Sequence, residues 1–263
     1  MPELIDTHCH LTHGRLGGNL PAVLDRARKA GLVAFICASG NLEESQAGSR
    51  LAEIHRDVFF IAGQHPHDAK SAGDDYLKRI EALVGRAGCV GIGEVGLDYH
   101  YDYSPRPVQR EVFAAQLSLA RHLRKPVVVH VRESFEESVA ILSESGVDGG
   151  LVLFHSFAAG PAQVRRALDL GAMISLSGIA TFKTASSVQQ AAKLIPVDRL
   201  MIETDSPYLS PEPVRHLKTN EPANVEHVGR FVARLRGESF DSLAELTTRN
   251  ARRFFNLSLQ PQP

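Results

Sequence analysis

Eight short apolar runs recur along the chain, and most are followed by a stretch whose apolar residues return at helical spacing. A strand buried on both faces reads as a continuous apolar run, and strand alternating with helix builds a parallel sheet. The runs are Leu4–Asp6, Val33–Cys37, Val58–Ala62, Val90–Gly93, Val127–His130, Leu151–His155, Ala172–Leu176 and Leu200–Glu203. Helices are expected over Asn19–Ala30, Leu42–Arg56, Asp74–Arg86, Val108–Leu123, Ser134–Ser145, Pro161–Leu170, Ala185–Leu194, Asn224–Arg236 and Asp241–Phe255. Gly31, Gly88, Gly146 and Gly171 fall between a helix and the next strand, where a left-handed helix end needs glycine. Eight strands are the number that closes a (β/α)8 barrel, so the expected class is α/β, a TIM barrel. The competing open doubly wound sheet would carry a glycine-rich phosphate loop after its first strand, and none is present. No linker or charge block interrupts the pattern. With 43% apolar residues in 263, the chain is expected to form one domain over 1–263.

Charge and cysteine usage narrow the function. A net charge of -1 argues against a broad basic field for nucleic acid, but not against an enzyme that meets phosphates locally. Three cysteines without regular spacing do not make a disulfide framework, and Cys37 and Cys89 are expected to be small buried thiols. No signal-like segment or membrane-length apolar run is visible, so a cytoplasmic protein without membrane partners is expected, with a monomer as the default.

Onto this scaffold falls an uneven set of histidines and acids. In Asp6-Thr7-His8-Cys9-His10, alternation along a strand turns His8 and His10 to one face and Cys9 to the other. Gln64-His65-Pro66-His67 follows the third strand, Glu94 ends the fourth, His130 the fifth and His155 the sixth, and Asp205 follows the eighth. Carboxyl ends of barrel strands are where active sites are built. Four histidines, one glutamate and one aspartate exceed the three protein ligands of a mononuclear catalytic zinc site, so two divalent ions are expected. Nitrogen and oxygen donors suit zinc or manganese, whereas magnesium prefers more oxygens. Competing roles are a buried structural histidine for His130 or His155 and a helix cap for Asp205. His65 is expected to contact a substrate phosphate, and Arg132 to take a phosphate oxygen through its planar fork. Tyr99, Tyr101 and Tyr103 either stack a base or simply pack their loop. His13, His55, His100, His122, His216 and His227 are expected on the surface or in loops.

Several motifs carry a family resemblance. They are Ile5-Asp6-Thr7-His8-Cys9-His10-Leu11, Gly63-Gln64-His65-Pro66, Gly93-Glu94-Val95-Gly96-Leu97-Asp98-Tyr99, Val129-His130-Val131-Arg132 and Glu203-Thr204-Asp205-Ser206-Pro207-Tyr208-Leu209. Asn220-Glu221-Pro222-Ala223-Asn224-Val225 and Asn250-Ala251-Arg252-Arg253-Phe254-Phe255 continue the set, so nearly the whole chain resembles the TatD family of metal-dependent hydrolases. The resemblance implies a TIM barrel of the metallo-dependent hydrolase type, with members acting as 3′–5′ exodeoxyribonucleases. It further implies one ion on His8, His10, Glu94 and Asp205, and a second on Glu94, His130 and His155. Asp205 would orient or deprotonate a metal-activated water, with Glu94 and His65 completing the catalytic group. The substrate would be the 3′ end of DNA or of RNA. Departures from the family pattern are Thr12-His13 after His-x-His-Leu, the order Phe154-His155-Ser156-Phe157-Ala158-Ala159-Gly160, and Pro213-Val214-Arg215-His216-Leu217-Lys218-Thr219 in place of a more basic run. An amidohydrolase, esterase or lactonase acting on a small molecule or aminoacyl ester is the alternative. Many such binuclear enzymes bridge their metals with a modified lysine, and no lysine lies at the end of the fourth strand. A non-catalytic metal-binding protein would not require the full ligand set with a candidate base.

Overall fold

In the computed structural model, which describes residues 2–258, strand and helix alternate in the order of a (β/α)8 chain. The strands are β1 (Leu4–Cys9), β2 (Leu32–Cys37), β3 (Val58–Ala62), β4 (Cys89–Asp98), β5 (Val127–Arg132), β6 (Val152–Phe154), β7 (Met173–Leu176) and β8 (Leu200–Ile202). β1, β4, β6, β7 and β8 are buried along their whole length, as continuous apolar runs require. Helices occupy all nine expected stretches, including Leu20–Lys29, Arg106–Leu123 and Phe240–Phe255. The glycines expected at helix ends do take positive φ, 95° at Gly31, 67° at Gly146 and 83° at Gly171, whereas Gly88, at φ 81°, lies past a helix that already ends at Val84 and leads directly into β4. No described helix is long and apolar enough to cross a membrane.

Short 3-10 turns such as Pro66–Ser71 and Gly178–Thr181 leave no mark in the sequence pattern, because a single turn has no periodicity to read. One strand boundary needs correcting. β4 does not stop at Gly93 but runs to Asp98, so Glu94 lies inside the strand rather than at its end. A carboxylate breaks an apolar run in the sequence, yet Glu94 and Asp98 are both buried, held by polar partners that only the folded chain supplies.

Two compact units can be described. The first comprises the chain up to Cys37, Ser156–Val164 and the chain from Ile174 onward. In it β1 runs parallel to β2 and β7 parallel to β8, while Cys9 bridges to Ser206 just past β8. Thr7 donates its hydroxyl to the Ile202 carbonyl at 3.0 Å. Asp6 is fully buried and accepts the Thr204 N–H at 2.9 Å, the Thr204 hydroxyl and the His8 N–H at 3.3 Å. Burial nevertheless pushes the Asp6 carboxyl up to about 8.

The second unit comprises Ala38–His155 and Arg165–Met173, with β3, β4, β5 and β6 paired in parallel succession. The β4–β5 register shifts between Ile92 and Val95, the stretch that holds Glu94. Beyond the shift Gly96 faces His130, with φ 138°. A Cβ on Gly96 would lie 2.0 Å from the His130 carbonyl oxygen, so only glycine lets the two strands approach here. Helix Arg106–Leu123 presents two buried glutamines seven residues apart. Gln109 accepts the Asp98 N–H at 2.9 Å and donates to the Asp98 and Ser104 carbonyls at 3.1 and 2.8 Å. Gln116 accepts the Gln64 N–H at 2.8 Å and donates back to the Gln64 carbonyl at 3.0 Å. One helix thereby clamps the chain leaving β3 and the end of β4.

Candidate functional site

In the first unit the site residues gather where β1 ends and β8 hands over to its loop. Asp205 donates its N–H to the His8 carbonyl at 2.9 Å, and His10 donates its N–H to the Ser206 carbonyl at 2.7 Å. These two bonds set the segments side by side. Asp205 has φ 54°, a left-handed conformation that a short polar side chain tolerates. Its Oδ1 lies 3.3 Å from His10 Nε2 and 3.9 Å from His8 Nε2. The two imidazoles meet edge to face at 5.1 Å, so His8 and His10 do share a face. Cys9 is buried with its thiol 3.6 Å from the Ile36 carbonyl and is no part of the cluster.

The second unit holds a denser group centred on one carboxylate oxygen. Glu94 Oε1 lies 2.8 Å from His130 Nδ1, 2.8 Å from His155 Nε2 and 3.3 Å from His65 Nε2. Donor atoms of His65, Glu94 and His130 all lie within 4.8 Å of one another. His65 thus stands among the expected ligands themselves, closer in than a substrate contact alone requires. Burial pushes its imidazole down to about 4, helped by nearby His130 and His67 and opposed by Glu94, which keeps it neutral as a ligand must be.

Asp98 does not stand out in the sequence, yet it joins the site through His130 and His67. Fully buried, it accepts His130 Nε2 at 3.0 Å and His67 Nε2 at 2.8 Å on Oδ2, and the backbone N–H groups of His100 and Tyr101, each at 3.0 Å, on Oδ1. Burial alone would raise this carboxyl. The bonds from His130 and His67 outweigh it and hold Asp98 well below the usual carboxylate range. His130 moves up in turn, since its bonds to Asp98 and Glu94 overcome its own burial. A signal was available: Glu94, Gly96 and Asp98 alternate along one strand, so period two puts both acids on one face. Gln109 and Gln116 carried a weaker one, two amides on the apolar stripe of a helix.

The remaining candidates sort simply. Arg132 lays its guanidinium over the Tyr101 ring, 4.6 Å from its centre, while neighbouring Glu133 pairs with His100 at 2.7 Å. Tyr99 donates its hydroxyl to Glu137 at 2.6 Å and packs under Arg106, whereas Tyr101 and Tyr103 stack on each other in the open.

Known proteins match this chain nearly end to end. The model of the TatD related DNase family matches residues 5–256. The uncharacterized metal-dependent hydrolase YabD of Bacillus subtilis strain 168 is 34% identical over 255 residues, covering 97% of this chain and 100% of YabD. The 3′-5′ ssDNA/RNA exonuclease TatD of Pantoea ananatis is 33% identical over 259 residues, covering 97% of this chain and 100% of that protein. Among solved structures, the TatD homologue YjjV of Escherichia coli K12 superposes with a TM-score of 0.92 at 27% identity, over 97% of this chain and 98% of YjjV. The expected TIM-barrel class of metallo-dependent hydrolases is thereby met.

Proposed function

The chain belongs to the TatD family of metal-dependent hydrolases, and on that premise we propose that it is a divalent-metal-dependent phosphodiesterase releasing nucleotides from the 3′ ends of DNA or RNA. The observation that carries metal binding is Glu94 Oε1 with three imidazole nitrogens at 2.8, 2.8 and 3.3 Å. Donors around an ion at about 2.0–2.2 Å stand about 3.4 Å from one another, so this spacing suits a divalent ion. Nitrogen donors around a shared carboxylate favour zinc or manganese over magnesium.

Family likeness supports one ion on His8, His10, Glu94 and Asp205 and a second on Glu94, His130 and His155, with His65 beside them. Bound ions supply Lewis-acid charge at the phosphate and lower the pKa of water. The chain's own residues do the rest. Asp205 accepts the proton of the attacking water, Asp98 holds His130 in orientation, and His65 and Arg132 steady the phosphate oxygens. The name of the Pantoea ananatis relative supports the choice of nucleic-acid ends as substrate. Net charge fits as well, because gripping one strand end needs less basic surface than following a duplex.

The test is direct. Metal-stripped protein is reloaded with magnesium, manganese or zinc and given single-stranded DNA and RNA labelled at either end, beside ester, lactone and amide substrates. Stepwise shortening from the 3′ end, lost in Glu94→Ala and Asp205→Asn, is expected. Nucleotide release that survives both substitutions, or turnover of the small substrates alone, overturns the proposal.

A further inference from the structure

Tyr101 and Tyr103 are 44% and 55% exposed, yet their rings are already stacked, with centroids 5.2 Å apart and planes 15° from parallel. The loop that carries them is fastened in several places. Tyr101 donates its N–H to Asp98 at 3.0 Å, and Asp102, at φ 50°, pairs with Arg106 at 2.8 Å. Ser104 donates its hydroxyl to the His67 carbonyl at 2.8 Å, and its own carbonyl takes a bond from Gln109. His67 packs edge-on against both rings, 5.5 Å from Tyr101 and 4.8 Å from Tyr103, and also against His65 at 4.4 Å. Two ring-to-ring steps therefore join the Glu94 cluster to the tyrosine pair. Arg132 adds a planar cation over Tyr101.

We propose that Tyr101 and Tyr103 form a stacking platform that receives a nucleobase of the substrate, so that the enzyme distinguishes a nucleotide from a bare sugar phosphate. This rests on the proposed function and adds its specificity element. Large aromatic faces held in water beside a reactive cluster are poor packing and good stacking surface. Every base has a π-face, so such a platform accepts bases with little regard to sequence. Its loop is ordered in advance, and little ordering entropy remains to be lost on binding.

The platform predicts a coupling between base and tyrosine. The full chain, loaded with zinc, is titrated calorimetrically with deoxyadenosine 5′-monophosphate and with deoxyribose 5-phosphate. Stacking of one base is expected to make the nucleotide bind about 5- to 150-fold tighter than the sugar phosphate. The chain has no tryptophan and five tyrosines, so quenching of tyrosine emission by the nucleotide gives a second readout. Tyr103→Leu and Tyr101→Leu should bring the two ligands to nearly equal affinity and remove most of the quenching, while Tyr103→Phe, which keeps the ring, preserves the gap. Circular dichroism checks that each variant is folded, and hydrolysis of a single-stranded oligonucleotide is followed in parallel. Equal affinity for the two ligands in the unaltered protein, no binding of the nucleotide, or a gap that Tyr103→Leu and Tyr101→Leu leave intact overturns the platform, whatever the enzyme hydrolyses. A gap that closes in those variants without oligonucleotide hydrolysis supports the platform and overturns the exonuclease reaction instead.

Discussion

Asp98 accepts a hydrogen bond from His130 Nε2 at 3.0 Å, which turns the other ring nitrogen toward Glu94. A carboxylate behind a ligating histidine fixes which nitrogen bears the proton and raises the basicity of the other. Asp98 is therefore a positioning residue for any ion held at Nδ1. Asp98→Asn keeps the size but can turn an amide N–H toward the ring and favour the wrong tautomer. It should lower metal affinity or activity about 10–100-fold while the circular dichroism spectrum holds. Metal titration by calorimetry checks this, and unchanged affinity together with unchanged activity would refute the role.

Metal occupancy should also register as stability. An ion that binds only the folded state stabilises it by about 2.7 kcal/mol at a free concentration one hundred times its dissociation constant. Stripping with a chelator should lower the thermal midpoint and re-adding zinc or manganese should restore it. Glu94→Ala should unfold at the same temperature with and without metal, which differential scanning calorimetry reads without any substrate.

Gln109 and Gln116 meet backbone groups that have no water to turn to. Replacing Gln116 with Leu removes the partners of the Gln64 N–H and carbonyl. Each buried polar group left unpaired costs about 1–3 kcal/mol. Denaturant unfolding should show a loss of at least that size for Gln116→Leu, and a similar one for Gln109→Leu. A change within about 0.5 kcal/mol, the size usual for surface substitutions, would mean the clamp is dispensable.

All three cysteines are buried and none is in a disulfide. Burial pushes Cys89 up to about 11 and lifts Cys9 well above the usual thiol range, so neither supplies thiolate near neutral pH. A thiol-reactive chromophore should find almost nothing in the folded protein and three groups after denaturation. Rapid labelling of the native chain would contradict the packing described.

Much of this molecule is legible in its sequence because strand and helix announce themselves through local periodicity. The boundaries of β3 and the helix ends at Gly31, Gly146 and Gly171 fall where apolar runs and glycines lead one to expect. The shared face of His8 and His10 follows from alternation alone. The apolar run alone makes β4 look shorter than it is, because its polar residues resemble an ending when their partners are out of view.

From the sequence alone come the strand–helix succession, the face on which paired residues lie and the inventory of imidazoles and carboxylates. Only the tertiary structure decides which of them meet. His130 finds Asp98 across 32 residues because β4 and β5 pair in a register that sets Gly96 against His130 and Asp98 against Arg132. Asp205 reaches His10 through backbone bonds that tie the chain after β8 to the end of β1. Periodicity encodes how each segment is shaped and which face it buries. Strand register and helix packing, which depend on the whole chain at once, determine the distances on which the chemistry rests.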